Sequence, residues 1–414
     1  MAACTVTAVF TLSNAPTPLY VLWRNEWHFS SGTLTVIFAV YIAGLIGTLL
    51  VAGRIADRYG RGVVLVPGLL LAVVSSGLFL FARDVMWLLG ARLLAGMAVG
   101  AAVTGGMATV VDLAPTRSRH TASLLASAAM VFGAGLGPLT AGLLARRINR
   151  PQVWIFAVMT AVTVVGSILA LLLPLSRPEP APRSRWRLPS PPLGHRRHVA
   201  WGIATFAPGI TATSFFLSLG PSVLRDALGI ADPFLAGVIA CTMFLTATGV
   251  QFALARLPTR THLLLSSASA ITGMTMLGLV VTALPSIVVL VAAALLAGCA
   301  QGLGQLAGLT LIATGIPAAR RAESNAALNI ASYIPAAVLP VATGSLADAT
   351  SLPPAVLAFA AVVGLAALVA LIVVRTDTSG RRIVGGELMT MPGPIDETSG
   401  YFREKERKTQ PWNM

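Results

Sequence analysis

The segment Gly53–Gly62 has the sequence GRIADRYGRG and joins two long apolar runs, residues 31–53 and 62–82. At a rise of about 1.5 Å per residue, each run is long enough to cross a hydrocarbon core about 30 Å thick. The connecting segment is so short that two such helices must turn back on each other. The sequence therefore predicts an antiparallel pair of membrane helices joined by a basic loop.

The same pattern continues over most of the chain. Of its 414 residues, 56% are hydrophobic and only 11% are charged, against about 25% charged in an ordinary soluble domain. This composition excludes a soluble enzyme and a disordered protein, and the three cysteines are too few for a disulfide scaffold. We predict an all-α membrane protein with twelve transmembrane helices, near 2–23, 31–53, 62–82, 86–112, 121–145, 152–174, 200–224, 232–255, 262–282, 286–313, 322–347 and 352–374.

The meaning of the net charge of +14 depends on where the basic residues lie. With twelve spans, most Lys and Arg side chains fall in the loops and tail on the side of the two chain ends. The opposite side has Arg24, Arg83, Arg146, Arg147, Arg150 and Arg225. The positive-inside rule then predicts an inner-membrane protein with both termini in the cytoplasm. The lipid bilayer accounts for the basic balance, and we expect no nucleic-acid partner.

A basic, proline-rich segment at 175–199 divides the spans into two sets of six. We predict an N-terminal bundle at 1–174, a cytoplasmic linker at 175–199, a C-terminal bundle at 200–374 and a disordered cytoplasmic tail at 375–414. Two matches support a duplication. Residues 93–100 (LLAGMAVG) parallel 295–302 (LLAGCAQG), and five residues of span one recur with identical spacing in span seven, with Ser13 and Pro16 matching Ser218 and Pro221.

The loop at 53–62 resembles the signature G-x-x-x-D-[RK]-x-G-[RK]-[RK] of the major facilitator superfamily, with Gly62 replacing the last basic residue. The resemblance implies the fold of that family, two pseudo-symmetric six-helix bundles. It also implies a charge cluster that latches the cytoplasmic side closed. Its expected members are Gly53, Asp57, Arg58, Gly60, Arg61 and, at the inner end of span four, Asp112. The alternative is an ordinary basic loop without a gating role.

Span five contains a sequence similar to the G-x-x-x-G-P-x-x-G-G motif of drug:proton antiporters, with Ala141 at one of the final glycines. The motif residues are Gly133, Gly137, Pro138 and Gly142. Glycines provide a close-packing face, and the proline bends the helix. Generic small-residue packing is the alternative, since such patterns are common in membrane helices.

Arg92 lies inside span four and, with Gly96, resembles the R-x-x-x-G motif of the family. A charged side chain inside the membrane is costly and usually functional, although Arg92 is near enough to the outer end to snorkel to the headgroups. Polar residues at similar depth predict a central cavity: Asn14, Thr211, Thr213, Gln301, Gln305 and Asn329. Asn14 stands where many proton-driven exporters carry an acid. Coupling therefore has three candidate routes: Arg92 with Glu26 or Asp84, uniport, and a substrate-borne proton.

No Walker-type loop and no catalytic or metal-ligand constellation is visible in the sequence. We therefore expect a monomeric secondary transporter without metal or cofactor, not an enzyme. The favoured activity is alternating-access efflux of a small amphipathic organic compound or drug, in exchange for a proton. An importer of a sugar or other metabolite, by symport or uniport, is the alternative.

Overall fold

The structure, a computed structural model, describes residues 2–115, 119–172 and 196–376, and all regular elements in these ranges are helices. This confirms the predicted all-α class. The helices are α1 Ala2–Asn14, α2 Tyr20–Trp27, α3 Ser31–Tyr59, α4 Gly62–Leu80, α5 Val85–Ala101, α6 Met107–Asp112, α7 Arg119–Arg147, α8 Pro151–Leu171, α9 Arg196–Ser218, α10 Gly220–Asp226, α11 Pro233–Ala253, α12 Thr259–Thr282, α13 Ile287–Gly315, α14 Ala318–Ala349 and α15 Leu352–Thr376.

Within the described residues, eleven helical segments are long and apolar enough to cross a membrane, the first of them beginning at Ser31. The first predicted span, 2–23, differs from expectation because it is not one helix. It is divided into α1, a short 3-10 turn at Thr17–Leu19, and α2. Pro16 and Pro18 explain the division, because proline has no amide hydrogen and cannot continue the α-helical hydrogen-bond ladder.

The fourth predicted span is also divided, although its axis continues. A π-helical segment, Ala102–Gly106, joins α5 to α6. The hydroxyl of Thr104 in this segment donates to the carbonyl of Gly100 at the end of α5, at 2.8 Å. Gly105 faces the start of α4, where an added Cβ would lie 3.2 Å from the Arg61 carbonyl oxygen. Such wide turns occur mostly as single insertions inside α-helices.

Equivalent helices of the two halves pack in equivalent ways. In the first half α1 packs on α7, α3 on α5 and α4 on α5; in the second half α9 packs on α14, α11 on α13 and α12 on α13. The halves meet where α7 packs on α11 and α3 packs on α14. This arrangement has the pseudo-symmetry expected from the two sequence matches. The predicted domain bounds stay predictions, since 173–195 lie outside the described residues, as does nearly all of the tail.

Both sequence matches correspond to repeated structure. α1 ends at Asn14, shortly before Pro16, and α9 ends at Ser218, shortly before the matched Pro221. At Gly96 an added Cβ would meet the backbone of α3, and at Gly298 it would meet the backbone of α11. The duplicated glycines therefore allow the same close helix approach once in each half.

The helix surfaces are apolar where ordinary soluble helices are polar. On α15, Leu365, Val369 and Ile372 are exposed over 62%, 53% and 50% of their surface and repeat along one side of the helix. α8 presents a similar stripe. A contiguous apolar surface of this kind needs an apolar solvent, which the lipid bilayer supplies.

Candidate functional site

Arg92 is the centre of the candidate site. Of the Asp, Glu, Lys and Arg side chains that the structure describes, it alone is buried, with 1% of its surface exposed. Its Nη1 donates to the carbonyl oxygen of Ser13 on α1. Its guanidinium carbon lies 4.6 Å from the ring centre of Tyr41, 5.1 Å from Phe38 and 5.8 Å from Tyr20. Arg92 is thus stabilised by three aromatic rings and one carbonyl. We call these four contact residues, with Arg92, the arginine box.

The local sequence explains how the arginine box forms. Phe38 and Tyr41 are three residues apart on α3, so their rings project from one side of that helix. Gly96 lies one turn after Arg92 on α5, and an added Cβ there would lie 3.0 Å from the backbone nitrogen of Leu45. Because glycine leaves this space open, α5 approaches α3 closely enough for Arg92 to reach both rings.

The burial of Arg92 answers one question left by the sequence. A snorkelling side chain would place its guanidinium at the headgroups, whereas this one is enclosed. Its contacts include neither of the two carboxylates considered as partners. Asp84 instead caps α5, accepting from the backbone amides of Met86 at 2.8 Å and Trp87 at 3.3 Å, and Glu26 is exposed. The arginine charge is therefore balanced by rings and a dipole.

Asn14 adjoins the arginine box at the last residue of α1. It is 9% exposed. Its amide donates to the carbonyl of Phe10 at 3.2 Å and to the hydroxyl of Ser13 at 3.0 Å. Ser13 therefore links the two residues, since its hydroxyl accepts from Asn14 and its carbonyl accepts from Arg92. The sequence predicted both residues separately, and the structure brings them together.

The polar residues predicted from the second half lie on α9, α13 and α14. Thr211 and Thr213 are buried, and Gln301, Gln305 and Asn329 are half-buried. Thr213 and Asn329 bond within their own helices, to the carbonyls of Ile210 at 3.0 Å and Asn325 at 2.8 Å. The hydroxyl of Thr211 and the Oε1 of Gln301 are buried without a hydrogen-bond partner. Buried polar atoms of this kind are candidates for water or ligand contact.

The basic-face loop, residues 53–62, has the geometry of a tight turn. Gly60 ends α3 with φ of 100°, a conformation that favours glycine, and its amide donates to the Ala56 carbonyl at 2.9 Å. Arg61 lies 3.4 Å from the carboxylate of Asp112 at the end of α6. Arg58 lies over the ring of Tyr59. Around Gly53 no neighbour would meet a Cβ, and the side chain of Asp57 lies outside the described residues.

The motif of span five lies at the junction of the halves. An added Cβ at Gly133 would lie 3.1 Å from the Cα of Thr7, and one at Gly137 would lie 3.0 Å from the amide nitrogen of Ala15, both in the segment formed by α1 and its end. An added Cβ at Gly142 would lie 2.5 Å from the carbonyl oxygen of Pro233, on α11 of the other half. The motif glycines thus let α7 contact both halves closely. Pro138 also touches α11, at Gly237.

Sequence reasoning missed a set of polar contacts on the face opposite the basic loop, which we call the opposite face. They join the two halves through Arg24 and Asp226 (3.7 Å), Arg24 and Ser222 (3.3 Å), Arg225 and Asn25 (2.5 Å), Arg146 and Asp232 (3.7 Å), and Asp348 with the backbone of Ser31 and Gly32. A signal existed for Asp348, because an acid in the last turn of a helix opposes the helix dipole and needs a partner elsewhere. In the described ranges no group of three or more His, Cys, Asp or Glu side chains is placed to hold a metal ion.

Comparison with known proteins places these features in a family. The model of the Major Facilitator Superfamily matches residues 1–339. Two solved structures share the fold. One is a bacterial homolog of the human lysosomal transporter Spinster, inward-facing and unoccupied (TM-score 0.66, 16% identity, 90% of this chain and 95% of that one). The other is the nucleoside transporter NupG (TM-score 0.67, 12% identity, 90% and 99%).

Curated relatives have names that refer to drug resistance. The multidrug resistance protein MdtL of Salmonella heidelberg is 30% identical over 60% of this chain and 64% of its own length. Multidrug resistance protein 1 of Bacillus subtilis is 31% identical over 37% and 40%. The PmrA homolog of Lactococcus lactis, a multi-drug resistance efflux pump, is 37% identical over 29% and 27%. The chain thus spans less than two thirds of each of these relatives. The chain is a membrane-spanning protein that belongs to the major facilitator superfamily.

Proposed function

We propose that the protein exports small amphipathic organic compounds by alternating access, in exchange for protons. It works as a monomer in the inner membrane, with the basic face and both chain ends in the cytoplasm. The names of the multidrug resistance relatives support the efflux direction. The excess of Arg on the basic face supports the orientation.

The position of the span-five motif carries this proposal. Gly133 and Gly137 pack on α1, and Gly142 packs on α11, so the motif lies where the two halves must separate in an alternating-access cycle. Close backbone contact without side chains between lets helices slide or part without unpacking large groups. The resemblance of this motif to the drug:proton antiporters supports antiport over uniport.

The chemistry around the arginine box supports the class of substrate. The described polar groups at this depth are amides and hydroxyls, and Arg92 is a single fixed positive charge among them. Amides and hydroxyls suit uncharged, weakly polar compounds, whereas a phosphate would need several basic groups. A permanent cation would be repelled by Arg92 in a medium of low dielectric constant. Uncharged amphipathic compounds are therefore the expected substrates.

The proposed role of Arg92 in coupling is electrostatic. Its charge is balanced by aromatic rings and the Ser13 carbonyl, with no described carboxylate in contact. A proton or substrate that enters next to Ser13 and Asn14 would change the field at the guanidinium. Since α1 and α5 carry the two ends of this contact, such a change would alter how these helices pack.

Efflux from cells tests the proposal. A strain without its main exporters is transformed with the gene or with an empty vector and screened against a panel of uncharged, cationic and anionic compounds. We expect raised tolerance to uncharged amphipathic compounds and energised efflux of a fluorescent member of that class. Adding a protonophore should stop the efflux. Efflux that persists after the proton gradient collapses contradicts the antiport mechanism, and uptake instead of efflux contradicts the direction.

A further inference from the structure

Asp348 joins the two halves of the protein on the opposite face. It lies in the last turn of α14, and its carboxylate accepts hydrogen bonds from the first amides of α3. Oδ1 accepts from Ser31 at 2.8 Å and Oδ2 from Gly32 at 2.7 Å. One carboxylate thus caps a helix that belongs to the other half. Both amides would otherwise lack an intrahelical partner at the start of α3.

The electrostatics favour this cross-half cap. An acid at the C-terminal end of its own helix is destabilised by the negative end of that helix's dipole. The same carboxylate is stabilised by the positive N-terminal end of α3. Asp348 is therefore in a favourable field only while α14 and α3 are together on the opposite face.

The helices approach closely where the cap forms. An added Cβ at Gly32 would lie 2.7 Å from Oδ2 of Asp348, and one at Gly344 would lie 2.7 Å from the Ser31 carbonyl oxygen. Thr35, one turn into α3, directs its hydroxyl inward to the Gly32 carbonyl at 2.8 Å. Glycine at both positions is what permits the carboxylate to reach the amides. The cap is thus part of a close packing contact between α14 and α3, and not an isolated pair of polar groups.

Other polar contacts between the halves lie on the same face. Arg24 of α2 meets Asp226 of α10 at 3.7 Å, and Arg146 of α7 meets Asp232, the N-cap of α11, at 3.7 Å. These pairs are partly exposed, and exposed ion pairs contribute little by themselves. The Asp348 cap differs because two backbone amides hold it in a defined geometry.

We propose that Asp348 is the latch of the outer gate: its cap on α3 holds the opposite face closed and must break before the transporter can open outward. The inference rests on the alternating access and orientation proposed above. It assigns to one carboxylate the link between the halves on this face. Loss of the cap shifts the population toward the state that is open on the opposite face.

Distance measurement across the opposite face tests the latch without a substrate. Spin labels are attached at Trp154 and Val288, which are 58% and 72% exposed and lie near that face in different halves, in full-length protein whose three native cysteines are replaced by alanine. Double electron–electron resonance spectroscopy then gives the distribution of distances between the two labels in lipid nanodiscs. We expect one main short distance in the parent protein. In Asp348→Ala the population at the long distance, relative to that at the short distance, should rise roughly tenfold. This is the order expected for loss of an N-cap.

Three further variants keep the test specific. Asp84→Ala is the matched control, since Asp84 also caps a helix near this face but within one half, and it should leave the distribution unchanged. Asp348→Asn should shift it less than alanine does, because an amide oxygen can still accept from the α3 amides. Gly344→Ala should open the face by pushing the helices apart, which provides an independent route if Asp348→Ala does not fold.

An unchanged distribution in folded Asp348→Ala protein overturns the proposal, and so does an equal shift in Asp84→Ala; if Asp348→Ala does not fold, an unchanged distribution in Gly344→Ala overturns it. The distance and efflux measurements distinguish failure of the latch proposal from failure of the proposed transport activity. If no compound is exported but the distances shift, the latch stands and the substrate proposal falls. If efflux occurs and the distances do not shift, the latch falls alone.

Discussion

Replacing Arg92 by methionine separates the functional value of its charge from its contribution to folding. Methionine is flexible and fills a space similar to that of the arginine stem. The variant loses the hydrogen bond to the Ser13 carbonyl and the contacts with the rings of Tyr41, Phe38 and Tyr20. It also removes a charge from the interior of a membrane protein, which favours folding.

The magnitudes of these effects nearly offset. A hydrogen bond from a charged group contributes about 1.5–3 kcal/mol, and desolvated cation–π contacts contribute about 2 kcal/mol. Against this, an arginine at the centre of a membrane helix costs about 2.5–3.5 kcal/mol on insertion scales. The free energy of unfolding should therefore change by no more than about 2.5 kcal/mol, an order-of-magnitude figure from these terms. Transport, which needs the charge, should fall at least about tenfold, equivalent to about 1.4 kcal/mol in the barrier.

The assay pairs thermal unfolding of the purified protein with dye efflux from cells at matched expression. Arg83→Met is the control, because Arg83 is exposed on the opposite face and its loss should leave both quantities unchanged. Arg92→Lys should also transport poorly, since an ammonium lacks the planar guanidinium that lies over the Tyr41 ring. Efflux at the parental rate in Arg92→Met refutes the functional role. A collapse of the folded state in that variant shows that the contacts of Arg92 stabilise the protein by far more than its burial costs.

Two more predictions concern the loop and the span-five motif. Asp57→Asn should abolish transport while the protein still inserts, because the resemblance assigns this carboxylate to the cytoplasmic latch; near-normal flux in the variant rules that assignment out. Gly137→Val should lower the midpoint of thermal unfolding and the flux, since even its Cβ would lie 3.0 Å from the Ala15 amide nitrogen and overpacking costs about 1–3 kcal/mol. Gly77→Val is its control, as no atom lies near an added Cβ there, and equal midpoints for the two variants count against the packing argument.

Much of the fold could be predicted from the sequence because membrane spans are set by the length of apolar runs. The clearest exception is the first span, where hydropathy predicted one helix and the structure has α1, a 3-10 turn and α2; the fourth span is interrupted by a π-helical segment. Pro16 decided that outcome through a missing amide, a local effect that a hydropathy average does not register. The match of Pro16 to Pro221 was visible in the sequence and corresponds to a break in both halves.

The sequence singled out residues of the candidate site but not the partners that these residues contact. A charged residue inside an apolar run is conspicuous, so the sequence pointed to Arg92. Asn14 was selected because it lies at a similar depth in its span. Their link through Ser13 depends on how closely α5 approaches α3 and α1, which Gly96 permits but does not specify. The role of Asp348 could not be predicted from its partners, because these are backbone amides in the other half, and backbone amides are not distinguished by the sequence.

Transport by the purified protein in liposomes tests whether export is coupled to protons. A fluorescent compound identified by the panel is placed outside vesicles of one protein orientation, with the basic face outward and the vesicle interior acidic. We expect the compound to accumulate inside the vesicles against its gradient while protons leave, and both fluxes to stop when the pH difference is removed. Accumulation that is the same with and without the pH difference, or movement of the compound without any proton flux, would contradict this expectation.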